Sequence, residues 1–266
     1  MKAIVTGAAG RMGGRILCLL AEQGHAVVGA LERKGHPSLG KDPGEVAGFG
    51  RSGVLISDEL APLLGQAEVV IDFTIPDFTL QAAHCAAKKK IPMVIGTTGL
   101  SPSEVQELRS IASEIAIVFS PNMSIGVNVM FKAVSDLGKV LGEEYDIEVV
   151  EMHHRMKKDA PSGTALRLAE ILAQARGGDL EEVGKFSRRG NIGERKKGEI
   201  GVQSLRGGDV VGEHTVIFAG PGERLELTHR AHSRDNFARG AVLAAAWVVH
   251  QRPGFYTMQN VLGLVR

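Results

Sequence analysis

The sequence predicts an α/β fold, in which a Rossmann-type, doubly wound parallel sheet is followed by a second, α+β domain. Three observations predict it. Short apolar runs alternate with segments of helical periodicity, a glycine-rich turn follows the first apolar run, and the alternation stops near residue 124. Strands that alternate with helices form a parallel sheet, because each crossover helix packs back onto that sheet. We expect one domain at 1–124 plus 235–266 and a second domain at 125–234.

The elements of the first domain follow from apolar spacing and from residues typical of helix ends. Ser101 and Pro102 have the pattern of an N-cap followed by the first helical position. Ser57 precedes two acidic residues and predicts the cap of a short helix, whereas the glycine-rich segment 35–53 predicts a loop. The predicted strands are 2–6, 26–31, 68–74, 92–96 and 115–120, and the predicted helices are 11–23, 77–90 and 101–114.

The second domain is predicted to be mixed or antiparallel. Glycine pairs and a Gly-Pro-Gly turn separate three strand-like runs near its end, so these runs are expected to pair as an antiparallel meander. The final helix is expected to return to the first domain. The predicted helices are 125–141, 163–175 and 235–250, and the predicted strands are 145–153, 198–205, 210–219 and 223–231.

The composition limits the possible partners. The chain has 266 residues, of which 31 are basic and 30 acidic, so its net charge of +1 gives no general attraction for nucleic acid or an anionic membrane. No apolar run approaches the length of a membrane span, and the first residues do not have the pattern of a secretion signal. The cysteines, Cys18 and Cys85, are too few for a disulfide scaffold. We expect a cytoplasmic protein.

The first strand ends in a glycine turn with the spacing G-x-x-G-x-x-G. Gly7 suits the tight turn, Gly10 lets the backbone approach a pyrophosphate, and Gly13 lets the helix pack closely on the strand. The positive end of the helix, with Arg11 beside it, then faces the anion. The alternative is an ordinary strand–turn–helix with incidental glycines. The order of strand, turn, helix, strand and acidic residue favours a dinucleotide site, without specifying a reaction.

The second strand ends at Glu32 and Arg33, near the spacing expected for a ribose-binding acid. The carboxylate suits the 2′-hydroxyl of NADH, and the guanidinium suits the 2′-phosphate of NADPH. We therefore expect both cofactors to be used. An exposed pair without a ligand is the alternative.

Two polar loops follow later strands of the predicted sheet. They are Gly96–Gly99 and Ser120–Met123, and ligands of an open α/β sheet bind at the carboxyl edge where such loops lie. Each could be no more than a polar turn, which is a common feature. Their place in a nucleotide-binding domain favours the nicotinamide side of the site.

The densest group of chemically active residues lies at 151–164, between a predicted strand and a predicted helix. His153 can exchange a proton near neutral pH, and the lysines nearby are cationic. Ser162, Gly163 and Thr164 open the next helix, where hydroxyl and backbone N–H groups suit a carboxylate. Surface histidines, exposed lysines and a helix cap would each explain one part, and the coincidence favours a pocket for a small dianion. A zinc site fits poorly, because no cysteine or well-spaced carboxylate accompanies the histidines.

The chain resembles the dihydrodipicolinate reductase family over nearly its whole length. The segment HHR-x-K-x-DAPSGT is the specific part of the likeness, and the nucleotide turn is not specific. The matching segments, in the family's order, are GAAGRMG (7–13), ALER (30–33), GTTG (96–99), SPNMSIGVNV (120–129), EMHHRMKKDAPSGTAL (151–166), RGGDVVGEHTV (206–216) and LELTHRAHSRDNFARGA (225–241). The basic stretch at 185–197 is less typical.

The resemblance implies roles for matching residues. His153 would donate or accept a proton and Lys157 would donate one. The dicarboxylate would be bound by His154, Lys157, Ser162, Gly163, Thr164 and Thr98. The cofactor would be bound by Gly7, Ala8, Ala9, Gly10, Arg11, Met12, Gly13, Glu32, Arg33, Gly96, Thr97, Thr98, Ser120, Pro121, Asn122 and Met123.

The implied reaction is the NAD(P)H-dependent reduction of 4-hydroxy-tetrahydrodipicolinate, after loss of water, to tetrahydrodipicolinate in diaminopimelate and lysine synthesis. The resemblance implies a second domain that binds substrate and assembles a homotetramer, and it implies no metal. Two other functions are compatible with the nucleotide turn. They are another two-domain NAD(P)-dependent dehydrogenase and a non-catalytic NAD-binding sensor. An acylating semialdehyde dehydrogenase would need a cysteine at a strand-to-helix turn, and Cys18 and Cys85 lie in predicted helices.

Overall fold

The protein divides into two compact units in the computed structural model, which describes residues 1–265. One unit contains Met1–Ile125 together with the chain from Arg234 onward, and the other contains Gly126–Ser233. Each unit has its own sheet.

The first unit is built on a parallel sheet of seven strands. Their spatial order is β12-β6-β5-β4-β1-β2-β3, and every pairing is parallel. The order reverses beside β1, and the carboxyl edge of an open α/β sheet binds ligands at such a reversal. The strands are β1 (Lys2–Thr6), β2 (Ala26–Leu31), β3 (Ile56–Ser57), β4 (Val69–Asp72), β5 (Met93–Ile95), β6 (Ala116–Phe119) and β12 (Gly254–Tyr256).

Helices cover both faces of this sheet. One apolar core lies under α1 and α8, and a second core lies under α3 and α4. Ser101 caps α4, as predicted, and the structure adds a reciprocal bond between Ser101 and Glu104. The helices of the unit are α1 (Arg11–Glu22), α2 (Pro43–Ala47), α3 (Pro76–Lys88), α4 (Pro102–Ile111), α8 (Asp235–Val248) and α9 (Met258–Val261).

Two local predictions in this unit are wrong. The segment 35–53, predicted as a loop, contains α2, which Asp42 caps by accepting a hydrogen bond from the Gly44 N–H at 2.8 Å. Pro43 stands at the first helical position, where its missing N–H costs no hydrogen bond. Ser57 caps no helix: it ends β3, and its hydroxyl accepts from the Glu59 N–H at 3.0 Å in a local turn.

The second unit has a mixed sheet of five strands in the order β11-β10-β7-β9-β8, with one apolar core. Its helices are α5 (Ile125–Leu141), which begins one residue before the unit, α6 (Gly163–Ala175) and α7 (Leu180–Val183). Its strands are β7 (Asp146–His153), β8 (Gly184–Lys185), β9 (Ile200–Arg206), β10 (Gly212–Gly220) and β11 (Glu223–Ala231). No helix within residues 1–265 is long and apolar enough to cross a bilayer.

The predicted three-strand meander is wrong in one of its two pairings. β10 and β11 do form an antiparallel hairpin, but β9 pairs with β7 in parallel, and β10 pairs with the other edge of β7. The connection from β9 to β10 crosses the end of β7, where the Gly207 N–H donates to the His153 carbonyl and the His154 N–H donates to the Val210 carbonyl. β7 is therefore the central strand, between β10 and β9.

Two arginines of the basic stretch at 185–197 are bound to carboxylates on or beside the sheet. Arg188 forms a bidentate pair with Glu148 of β7 at 2.8 Å and a contact with Glu199 at 2.5 Å. Arg195 pairs with Asp146 at 2.6 Å. These arginines bind carboxylates within their own unit, so they need no anionic partner to satisfy their charge.

Candidate active site

The glycine turn has the shape that close helix packing requires. Gly7 adopts a left-handed φ of 68°, and the Gly10 N–H donates to the Gly7 carbonyl at 2.9 Å. A Cβ at Gly13 would lie 2.8 Å from the Cα of Ala8 and closer still to the Gly7 carbonyl oxygen. Only glycine at position 13 lets α1 start this close to β1.

The start of α1 is suited to a phosphate group. Gly10 is the N-cap, and no side chain of the described chain caps the helix. The N–H groups of the first turn have no partner within an α-helix, and the helix dipole makes this end positive. The turn therefore fits a dinucleotide pyrophosphate, on the strength of its backbone and of the space that a Cβ would fill.

Glu32 lies against the same turn. One of its carboxylate oxygens accepts from the Ala9 N–H at 2.9 Å, and the other accepts from the Arg33 N–H at 3.2 Å. Ala8 is buried beneath the turn, and its N–H donates to the Leu31 carbonyl at 2.9 Å. The structure thus brings the predicted ribose acid to the predicted pyrophosphate turn, and leaves Arg33 exposed beside it.

A cavity of about 520 Å³ opens at the carboxyl edge of the sheet. Most of the predicted cofactor residues outside the turn line it, and Glu32, Arg33 and Ser120 do not. Four lining residues were absent from the prediction: Phe73, Thr74, Arg234 and Phe237. The predicted lining residues are Gly10, Arg11, Met12, Gly96, Thr97, Thr98, Pro121, Asn122 and Met123.

A buried carboxylate fixes two of the lining loops. Asp72, at the end of β4, accepts hydrogen bonds from four hydroxyl groups, those of Thr6, Thr74, Thr79 and Thr97. The Thr97 oxygen also accepts from the Thr74 N–H at 2.9 Å. The hydroxyl of Thr97 is therefore engaged by Asp72 and Thr74, whereas the Thr98 side chain is exposed. Ser120 likewise donates to the Asn122 carbonyl at 2.8 Å.

In the second unit, the core face of the sheet turns from apolar to polar at one end. On β7 the buried side chains run from Ile147 and Val149 to Glu151 and His153, since alternate residues share a face. On β10 the same face ends in His214. The polar end of this face is where the predicted catalytic segment begins.

The buried histidines are close to each other and have altered acidity. The rings of His153 and His214 meet edge to face, with centroids 5.2 Å apart. Burial lowers the pKa of His214 to about 3, and burial also lowers the pKa of His153, although the bond to Glu151 opposes that shift. His214 is thus neutral at physiological pH.

The helix start at Ser162 is more constrained than the sequence suggests. Ser162 is 2% exposed, and its N–H donates to Glu151 at 3.1 Å. Its hydroxyl oxygen accepts from the Ala165 N–H, and the hydroxyl also forms a hydrogen bond with His214 at 3.1 Å. Gly163 is exposed and Thr164 half-buried at the first turn of α6.

Lys157 lies in the loop between β7 and α6. Its ammonium group pairs with Asp159 at 2.9 Å, and its side chain is 20% exposed. His154 is half-buried directly after β7. The loop therefore holds a cation and an imidazole near the start of α6, in a form that could bind a small anion.

Comparison with known proteins gives the family. Two family models match the chain: "Dihydrodipicolinate reductase, N-terminus" over residues 1–123 and "Dihydrodipicolinate reductase, C-terminus" over residues 126–262. The chain belongs to the dihydrodipicolinate reductase family. It is 54% identical over 264 residues to the 4-hydroxy-tetrahydrodipicolinate reductase of Syntrophus aciditrophicus, covering 99% of this chain and 98% of that protein.

Other relatives agree with this membership. The 4-hydroxy-tetrahydrodipicolinate reductase of Geotalea uraniireducens is 54% identical over 265 residues, covering 99% of both chains. The solved structure of dipicolinate-bound dihydrodipicolinate reductase from Paenisporosarcina sp. TG-14 shares the fold, with a TM-score of 0.76, 22% identity and 97% coverage of both chains. The predicted fold class, the predicted family and the prediction of a nicotinamide-dependent reductase are confirmed.

Several residues of interest were missed by sequence reasoning, and some had a signal. Glu151 stands two residues before His153 on a strand, a spacing that places both side chains on one face. Arg234 and Phe237 lie within the matching segment LELTHRAHSRDNFARGA. Phe73 follows a buried strand at the ligand-binding edge. Arg206 opens the matching segment RGGDVVGEHTV, but no local pattern pairs it with Glu151, which is 55 residues away.

Proposed function

We propose that the chain reduces 4-hydroxy-tetrahydrodipicolinate, by way of dihydrodipicolinate, to tetrahydrodipicolinate with NADH or NADPH in diaminopimelate and lysine synthesis. The observation that carries this proposal is the buried His153 at the end of β7, which stands before a lysine-bearing loop and the open start of α6. The relatives named above, at 54% identity over nearly the whole chain, support the same substrate.

The first unit would hold the cofactor. Gly7 through Gly13 would bind the pyrophosphate, Glu32 would accept from the adenosine ribose, and Arg33 would pair with a 2′-phosphate. The loops at 96–98 and 120–123 would surround the nicotinamide, with Thr98 also reaching the substrate. When bound, the cofactor supplies two electrons and one hydrogen to the substrate ring.

The second unit would hold the substrate and move protons. His154, Lys157, Gly163 and Thr164 would bind the two carboxylates, with Ser162 shaping the start of α6. His153 would exchange a proton with the substrate carbon, and the Lys157 ammonium would donate one.

The assembly and location remain proposals of the same kind. We propose a homotetramer built through the second unit, because Leu205 and Leu225 are exposed on its strands at 50% and 43%. We propose a cytoplasmic location, which agrees with Cys18 and Cys85 being free thiols.

The test is turnover. Purified chain, NADH or NADPH and freshly prepared 4-hydroxy-tetrahydrodipicolinate are mixed, and loss of the reduced cofactor is followed by absorbance. We expect turnover with this substrate and none with sugar or semialdehyde substrates of other two-domain dehydrogenases. Oxidation of the cofactor with a sugar or semialdehyde alone would replace the proposal with one of the alternatives, and binding of NADH without any turnover would favour a sensor.

A further inference from the structure

A partly buried ion pair lies beside His153, and none of the roles proposed above involves it. Glu151 is completely buried, and Arg206, the last residue of β9, reaches it with two nitrogens at 2.8 and 2.9 Å. His153, the last residue of β7, lies beside the pair, with its Nδ1 atom 2.6 Å from Glu151 Oε2. Arg206 is directly opposite His153 in the register of β7 and β9.

We propose that Glu151, held by Arg206, is a positioning residue that keeps the proton of neutral His153 on Nδ1 and turns its Nε2 lone pair toward the reacting site. This inference rests on the function proposed above and adds two residues to its machinery. Neither residue touches the substrate in this assignment: both act through the His153 ring.

The hydrogen bonds around Glu151 determine where the histidine proton lies. Both of its oxygens receive N–H donors, with Arg206 and Ser162 on Oε1 and Arg206 and His153 on Oε2. A carboxylate next to a bidentate guanidinium stays ionised and can only accept. Although burial alone would raise the pKa of Glu151, the bonds from Arg206 and His153 hold it below its ordinary value. The Nδ1 atom of His153 must therefore carry the hydrogen.

The other ring nitrogen lies beside a glycine, at a position where a side chain would crowd it. A Cβ at Gly212, on the neighbouring strand β10, would lie 3.0 Å from His153 Nε2. With its hydrogen on Nδ1, neutral His153 presents a lone pair at Nε2, so it accepts a proton first and donates only as imidazolium. Nε2 can take a proton from the substrate and later return that proton to the substrate. The ring is then neutral again, with its hydrogen on Nδ1.

The second task of Arg206 is electrostatic. The charged and titratable groups facing His153 are Glu151, Arg206, Lys157 and His214. An unpaired Glu151 carboxylate would hold the imidazolium strongly and make His153 a poor proton donor. Arg206 offsets that charge, so the carboxylate fixes the tautomer of the ring while the ring can still give up its proton.

Two variants separate this role from a merely structural one. Glu151→Gln removes the negative charge, so the pKa of His153 should fall and the acidic limb of the kcat/KM profile should move to lower pH. Arg206→Met removes the positive charge, so the same limb should move to higher pH. Each variant should lower kcat at least about ten-fold with little change in KM, the loss expected when a proton-transfer group is misplaced.

Matched controls come from the opposite face of the same strand. Glu148 also binds an arginine, Arg188, with two nitrogens at 2.8 Å, but it does not contact His153. Glu148→Gln and Arg188→Met should leave the pH profile where it is in the parent. The double variant Glu151→Gln/Arg206→Met removes both charges and should return the limb from the Arg206→Met position toward that of the parent.

A readout without substrate keeps the inference apart from the proposed function. The pKa of His153 is measured by NMR on histidine-labelled protein, with the signal assigned by its loss in His153→Gln. We expect opposite displacements in Glu151→Gln and Arg206→Met even if the parent reduces no dicarboxylate. Displacements in the same direction, or an equal displacement in the Glu148→Gln control, would overturn the inference. If Glu151→Gln does not fold, failure of Arg206→Met to raise this pKa is enough to overturn it.

Discussion

Substituting Gly13 by alanine tests whether the turn between β1 and α1 binds the cofactor. The new Cβ would lie 2.8 Å from the Ala8 Cα, whereas ordinary contacts begin near 3.4 Å, so α1 must move at least about 0.6 Å away from the turn. Gly14 is the matched control, because its Cβ would meet only the Cβ of Ala47, at 3.7 Å.

The two substitutions share one favourable effect and differ in one unfavourable effect. Replacing glycine by alanine in a helix stabilises it by about 1 kcal/mol, and this gain applies to both variants. Overpacking against a fixed backbone costs about 1–3 kcal/mol, and this cost applies to Gly13→Ala alone. The free energy of unfolding should therefore be lower in Gly13→Ala than in Gly14→Ala by about 1–3 kcal/mol.

Urea unfolding gives this difference, and titration with NADH, followed by fluorescence, gives the functional effect. NADH affinity should fall at least about ten-fold in Gly13→Ala, because the displaced N–H groups no longer reach the pyrophosphate, a loss of about 1.4 kcal/mol. Gly14→Ala should bind NADH as the parent does. Parent-like NADH affinity in Gly13→Ala, together with a clear loss of stability, would refute the assignment of this turn to the pyrophosphate.

Three further predictions follow from the site. Lys157→Ala should lower turnover by about 10²–10⁴-fold and leave the affinity for NADH unchanged, whereas the control Lys158→Ala should change neither quantity. Turnover above about a tenth of the parental rate in Lys157→Ala would contradict the proton-donor role. The binding free energies of NADH and NADPH should differ by no more than about 1–2 kcal/mol. Arg33→Ala should lower the affinity for NADPH selectively, and Glu32→Ala should lower the affinity for NADH. Equal effects of Arg33→Ala on both affinities would argue against a contact between Arg33 and the 2′-phosphate. Protonation of His214 is disfavoured in the folded state, so between pH 6.5 and about 3 the free energy of unfolding should decrease as pH falls, by up to about 1.4 kcal/mol per pH unit. Urea unfolding of His214→Phe should lack this part of the pH dependence. An unchanged pH dependence in His214→Phe would contradict the burial of His214 as a neutral ring.

The nucleotide half of the protein could be predicted well from local signals. The strand, the glycine turn, the helix and the predicted ribose-binding acid are close in sequence, and the structure brings Glu32 to the turn at Ala9. Apolar periodicity located each of the longer helices to within a few residues, because one buried stripe determines such a helix. The short helix α2 was missed because five residues carry no periodic stripe, although Asp42-Pro43 is a recognisable helix start.

The second unit was harder to predict because its features depend on long-range pairing. Short glycine turns separate β9, β10 and β11 in the sequence, but β7 inserts between β9 and β10, and only packing of the whole sheet determines that order. The same insertion places Arg206 beside Glu151 and His153. Sequence reasoning proposed the histidine and the lysine of this region, and it missed the ion pair that contacts the histidine, since one member of that pair lies on another strand.

The central claim is that this chain reduces a cyclic imine dicarboxylate with His153 as a proton-transfer group. The most direct test is a single turnover, in which protein preloaded with NADH is mixed rapidly with 4-hydroxy-tetrahydrodipicolinate and oxidation of the bound cofactor is recorded. The parent should oxidise its NADH in one rapid phase. His153→Gln should bind NADH and pyridine-2,6-dicarboxylate as the parent does but oxidise the cofactor at least about 100-fold more slowly. Oxidation at the parental rate in His153→Gln would contradict the account.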